Sequence, residues 1–121
     1  MALYRLSAAA TEDIVQILAY TEENFGEIAR TRYERLLITA LRDIAADPGR
    51  IGSVARPELG AKVRSYHLRY SRDRASTEHG IVQRPRHLTL YRVTGEFVGI
   101  GRVLHDMMEL TRHLPADYGD D

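Results

Sequence analysis

Leu90-Tyr91-Arg92-Val93, a Thr94-Gly95 turn, then Glu96-Phe97-Val98-Gly99-Ile100-Gly101-Arg102-Val103-Leu104-His105 is the stretch whose reading decides the fold. Two apolar runs flank a Gly-containing turn, the pattern of a β-hairpin. The spacing predicts strands over residues 87–93 and 96–104. The second run is apolar on both faces, so it belongs where other layers cover it from both sides. Into this hairpin the sequence places Tyr91, Arg92, Arg102 and His105, polar groups that a purely structural hairpin does not require.

Working outward, residues 3–6 read as a short strand. Ser7 stands where an N-cap belongs, with Glu12 and Asp13 close behind it at the positive end of the helix dipole. Ala10, Ile14, Ile17, Leu18, Thr21 and Phe25 recur at helical spacing as one buried stripe, and Gly26 ends that helix. A second helix is expected over 27–46, apolar along Ala29, Tyr33, Leu36, Leu37, Ala40, Leu41 and Ile44. Its outer face carries Arg30, Arg32, Arg35 and Arg42 among Glu34 and Asp43, and Asp47-Pro48-Gly49 stops it. So short a break between helices makes an αα-hairpin.

Residues 50–60 read as a loop. Residues 63–70 read as a strand with Arg64 and Tyr66 on one face and Ser65 and His67 on the other. Residues 71–86 are polar and aperiodic, a long hairpin loop with a flap at Ile81-Val82. A terminal turn or short helix is expected over 106–113, and a frayed acidic tail over 116–121. The order β-α-α-β-β-β places a helical hairpin on a small, mainly antiparallel sheet, an α+β layer. The expectation is a single domain over 1–115.

A chain of 121 residues suits one domain and buries an ordinary core. With no cysteine, disulfides, thiolate metal sites and a cysteine nucleophile are excluded. No signal segment or membrane-length apolar run is read, so the expectation is a soluble, cytoplasmic protein. Lys+Arg 17 balances Asp+Glu 17, unlike a strongly basic nucleic-acid binder. Lys62 is the only lysine. Nearly every cation is therefore a guanidinium, suited to carboxylate and phosphate contacts, although arginine-rich codon usage accounts for that equally well.

His105, Glu109 and His113 fall at i, i+4 and i+8. The longer His-Glu-x-x-His motif is missing, so no metal is expected, and no cofactor. Tyr91, Arg92, Arg102 and His105 would supply acid–base groups and cations if they converged on one concave face. Regular alternation opposes this, since residues three apart face opposite sides, leaving His105 with Val103. An ion pair for Arg102 and a strand-end cap for His105 account for both residues as well.

Tyr91-Arg92-Val93, Arg102-Val103-Leu104-His105 and Arg112-His113-Leu114-Pro115 resemble the end of ParE toxins, of the RelE/ParE toxin–antitoxin superfamily. Tyr4-Arg5-Leu6-Ser7, Asp13-Ile14, Tyr20-Thr21 and Phe25-Gly26 resemble their start, and Val63-Arg64-Ser65-Tyr66 resembles the family's Leu-Arg-Ser-Phe. The resemblance covers about residues 3–114. The 71–86 loop is longer than the family's usual connection.

The resemblance implies the toxin of a type II, plasmid-stabilising module that inhibits growth by binding DNA gyrase and is neutralised by a ParD-like antitoxin. Direct sequence-specific nucleic-acid binding by the chain alone is not expected. Target contact would fall to Arg64, Arg92, Arg102, His105, Arg112 and His113. Antitoxin contact would fall to Tyr20, Ile28, Arg30, Tyr33, Arg35 and Arg42, where an amphipathic arm could fold. The alternative on the same fold is a RelE-like, ribosome-dependent mRNA endonuclease using Arg64, Tyr91, Arg102 and His105. Where that branch gathers lysines and arginines this chain has only Arg56, Lys62 and Arg64. A non-toxic binding protein on the same fold is the third reading.

Overall fold

The computed structural model describes residues 3–120. Strand β1 is Tyr4–Leu6, and a helical run Ala8–Ala46 follows, broken at Gly26. Gly26 has φ 91° and ψ 174°, a conformation open to glycine and closed to side chains with a Cβ. The break divides the run into α1 (8–25) and α2 (27–46). Ala10 and Ile44 share one core cluster. A straight helix would hold them about 50 Å apart, so the two arms fold back as the expected hairpin.

Ser7 caps α1 as expected, its Oγ accepting the Ala10 N–H at 3.0 Å. The hydroxyl in turn donates to the Gly101 carbonyl at 2.7 Å. Strands β2 (Ser53–Ala55), β3 (Arg64–His67), β4 (His87–Thr94) and β5 (Phe97–His105) complete a five-stranded sheet in the order β1-β5-β4-β3-β2. Only β1 pairs in parallel, with β5; the other pairs are antiparallel.

One face of the sheet packs on the hairpin. Tyr66, Tyr91, Val98, Ile100 and Val103 meet Leu18, Tyr33, Leu36, Leu37, Ala40 and Ile44. The other face forms a smaller cluster of Leu59, Val63, Leu88, Leu90 and Leu104 under Tyr118. β5 is thus covered on both sides, which is why its sequence is apolar on both.

Five local expectations change. Residues 53–55, read as loop, form the edge strand β2. The 63–70 strand ends at His67, where a 3-10 helix, Leu68–Arg74, takes over. Phe25 is 69% exposed, because it sits at the rim of an open cavity beside the hairpin bend. Asp43 is buried instead of outer-facing. It accepts from Arg50 (2.9 Å), Arg74 (2.7 Å) and the Ser71 hydroxyl (2.6 Å), pinning the 3-10 helix to α2.

The tail is not frayed up to residue 120. Tyr118 is buried over Gly99 and Gly101, where any Cβ would collide with it. Arg92 lies over the Tyr118 ring at 4.6 Å and binds Asp120 at 2.8 Å. Asp121 lies outside the described residues. No helix among the described residues is long and apolar enough to cross a membrane.

Candidate functional site

The β4–β5 ladder carries an irregularity that arranges the polar residues. From the turn inward, Thr94 pairs with Phe97 and Tyr91 with Ile100, but Leu90 pairs with Arg102. Gly101 is skipped, as at a β-bulge, and its carbonyl is the one that Ser7 takes. The extra residue shifts the pairing of everything beyond it by one, and the long Arg102 side chain reaches Asp13 on α1. Arg102 and His105, which regular alternation sends to opposite faces, line one cavity of about 420 Å³ together with Asp13, Tyr20, His87 and His113.

In that cavity Asp13 Oδ2 accepts from Arg102 Nε at 2.7 Å and Oδ1 from Nη2 at 2.8 Å. Oδ2 also accepts the Val103 N–H at 2.9 Å. The third guanidinium nitrogen, Nη1, donates to the His113 carbonyl at 3.3 Å. A bidentate pair with these extra bonds is a fixed structural clasp. Arg102 is therefore held by groups of its own chain.

Past the bulge, the new register sets His87 opposite His105 at the open end of the sheet. Their rings meet edge-to-face at 5.4 Å, and Tyr33 meets His87 likewise at 5.4 Å. Tyr33 Oη accepts the Arg86 N–H at 3.2 Å and lies 2.6 Å from His87 Nδ1. The phenol and Nδ1 share this hydrogen bond. Burial, with His105 facing it, pushes His87 down to about 4. Burial pushes the Tyr33 phenol up to about 12. Both are neutral at pH 7.

On the opposite face Asp106 binds Arg86 at 3.1 Å and His67 at 2.9 Å. The Arg86 hydrogen bonds hold its carboxyl down at about 2. His67 Nδ1 accepts the Arg69 N–H at 3.1 Å, so Nε2 carries the proton that Asp106 receives. Burial lowers the His67 pKa more than Asp106 raises it. The contact is then a hydrogen bond from a neutral ring, not an ion pair.

The remaining expected residues are scattered. Tyr91 is fully buried, its phenol donating to the Pro48 carbonyl and hydrogen-bonded to Ser53. Arg64 Nε donates to the same Ser53 hydroxyl at 2.7 Å. Arg92 is held on the far face by Asp120. Arg112 stands free in solvent at 77% exposure, with an i,i+3 contact to Glu109. His105, Glu109 and His113 do not share a helix face, since only the 3-10 turn Leu110–Arg112 forms there.

On the hairpin Tyr20 and Ile28 are exposed, Arg30 is paired with Glu22 at 2.9 Å, and Arg35 and Arg42 face solvent. Tyr33 is buried and serves His87, so it is no surface contact. His67, His87, Arg86 and Asp106 were not singled out by the sequence. The signal for them is pairing register: counted from the turn without the bulge, His87 falls opposite Leu104, not His105.

The family model for the ParE toxin of type II toxin–antitoxin systems, parDE, matches residues 4–110. No curated protein matches the chain. The matched span runs from β1 through the bulged hairpin into the terminal turn, the same elements that build the Asp13–Arg102 clasp and the histidine pair. By that match the chain belongs to the ParE toxin family.

Proposed function

We propose that this toxin acts by binding, with DNA gyrase as its target and a ParD-like antitoxin as its neutralising partner in the cytoplasm. The observation that carries the reading is the fate of the four residues an mRNA endonuclease would use. Tyr91 is buried and bonded to Pro48 and Ser53, Arg64 is bonded to Ser53, and Arg102 is clasped by Asp13. Of the four, His105 keeps a half-open side chain without a structural partner of that kind, in a cavity that Arg102 also lines. A phosphoryl transition state needs cations and acid–base groups aimed at one point, and three of these residues are spent on structural partners: Pro48 and Ser53 for Tyr91, Ser53 for Arg64, Asp13 for Arg102.

The surface left for a target is the segment after β5. Met107 and Arg112 are each 77% exposed, and Met108 and Leu114 are also exposed. An adaptable methionine pair beside arginine suits protein–protein contact. In this reading His105, Arg112 and His113 belong to the contact surface, while Arg64, Arg92 and Arg102 hold it in shape. The antitoxin would lie against the exposed hairpin around Tyr20, Ile28, Arg30, Arg35 and Arg42.

Induced expression with two readouts tests the proposal. Gyrase inhibition gives a DNA-damage response, filamentation and loss of supercoiling activity with purified gyrase. Rapid codon-position cleavage of mRNA with an intact chromosome would overturn it in favour of the endonuclease. Absence of any growth defect would leave a non-toxic binding protein.

A further inference from the structure

Between the bend of the helical hairpin and residues 81–87 lies a cleft of about 600 Å³. Its inner surface is apolar, built from Ala29, Tyr33, Ile81 and Val82, with Tyr20 and Phe25 at the lip. Those two rings pack edge-to-face at 6.4 Å and remain 62% and 69% exposed. Large apolar groups gathered in solvent beside a cavity mark a contact surface more often than chance exposure.

The charge around it is one-sided. Arg32, Arg84 and Arg86 line the cleft, and no Asp or Glu does. Arg86 is neutralised by Asp106. Arg32 spends its Nε on the His79 carbonyl at 2.7 Å, which leaves its charge uncompensated. Arg84 makes no ion pair among the described residues. The outer wall is also fixed: besides the Arg32 bond, Arg72 donates to the Gln83 carbonyl at 2.8 Å, and Thr77 bridges to Gly80.

We propose that this cleft docks a partner-protein segment that inserts an apolar side chain flanked by carboxylates, met by Arg32 and Arg84. Residues 75–86 form the wall that selects it. The proposal deepens the toxin reading, on which it rests, because the partner it fits is the neutralising one. It moves the principal contact from the outer face of α2 into the cleft. A protein segment is favoured over a nucleic acid because the lining is mainly apolar and only two cations stand uncompensated, too few to track a phosphate backbone.

The full purified chain is panned against a display library of random peptides about 16 residues long, some four helical turns. An enriched peptide is then synthesised for titration. Enriched sequences should combine Leu, Phe or Trp with Asp or Glu. Arg32→Glu and Arg84→Glu should each weaken binding about tenfold, Val82→Glu should weaken it further, and Lys62→Glu should change nothing. Thermal melts confirm that each variant is folded. No enrichment, basic or uncharged consensus, or equal binding by folded Arg84→Glu overturns the proposal. Loss with Arg42→Glu but not Arg84→Glu places the peptide on the helix face and overturns it too. An oligothymidylate that outcompetes the peptide, and loses binding in Arg84→Glu, would make the site one for nucleic acid instead. Gyrase inhibition by the unmodified chain is assayed separately, so failure of the toxin reading and failure of the cleft are read from different experiments.

Discussion

The Asp13 carboxylate on α1 and the Arg102 guanidinium on β5 meet through two hydrogen bonds, of 2.7 and 2.8 Å, across 89 residues of chain. Asp13 retains 12% and Arg102 22% of its side-chain exposure. The pair is thus largely withdrawn from water. Truncating one member strands the other, which costs more than the pair contributes.

Asp13→Ala is expected to lower unfolding free energy by about 2–4 kcal/mol, through the unpaired Arg102 and the orphaned Val103 N–H. Arg102→Ala should act similarly, and the double variant should show a coupling of about 1–3 kcal/mol. Urea unfolding of the four proteins measures this. Additive losses would show that the clasp is not a unit. Loss of toxicity in an Arg102 variant therefore reports on folding first.

Arg112 offers the cleaner probe of target contact. With its guanidinium in solvent, Arg112→Glu should shift stability by less than about 0.5 kcal/mol and still reduce gyrase inhibition. Thermal melts alongside a supercoiling assay decide it, and full inhibition by the variant would remove the terminal turn from the contact surface.

The pH dependence follows from His87. Its folded pKa is about 4, against 6.5 for an ordinary histidine. Between these values the unfolded chain binds a proton that the folded chain refuses. The contribution is fully present above pH 6.5 and is lost as pH falls from 6.5 to about 4, on the order of 2–3 kcal/mol after allowance for residual exposure. Urea unfolding from pH 7 to 4.5 should show this decline, and His87→Phe should flatten it.

Tyr33→Phe should cost about 1–3 kcal/mol, since it leaves His87 Nδ1 and the Arg86 N–H without their common partner. Unfolding measurements should show the same loss at pH 7 and pH 8, because the phenol is neutral at both. A silent substitution would mean that water replaces the hydroxyl freely.

Much of the architecture was legible because it rests on local rules. The Ser7 cap, the Gly26 break, the α2 stripe and the β4–β5 hairpin are each written in consecutive residues. The two-sided apolarity of β5 foretold a second cover, though not that Tyr118 would supply it. What escaped depends on distant partners. Asp43 reads as a solvated acid until Arg50 and Arg74 arrive, and β2 is three residues long with no period of its own. The site was the least legible part, since one skipped residue at Gly101 decides that His105 faces His87, and the partner that draws Arg102 to the same cavity is Asp13, 89 residues away.

The parallel pairing of β1 with β5 has a consequence for synthesis. Ser7 and Asp13 are translated 94 and 89 residues before their partners, Gly101 and Arg102. At roughly 5–20 residues per second the helical hairpin, complete at Ala46, waits on the order of 3–11 s for these partners. During that interval the hairpin's outer contacts can already exist, while the segment after β5 does not. A neutralising partner present in the cell can therefore engage the nascent toxin before the exposed segment after β5 has been made.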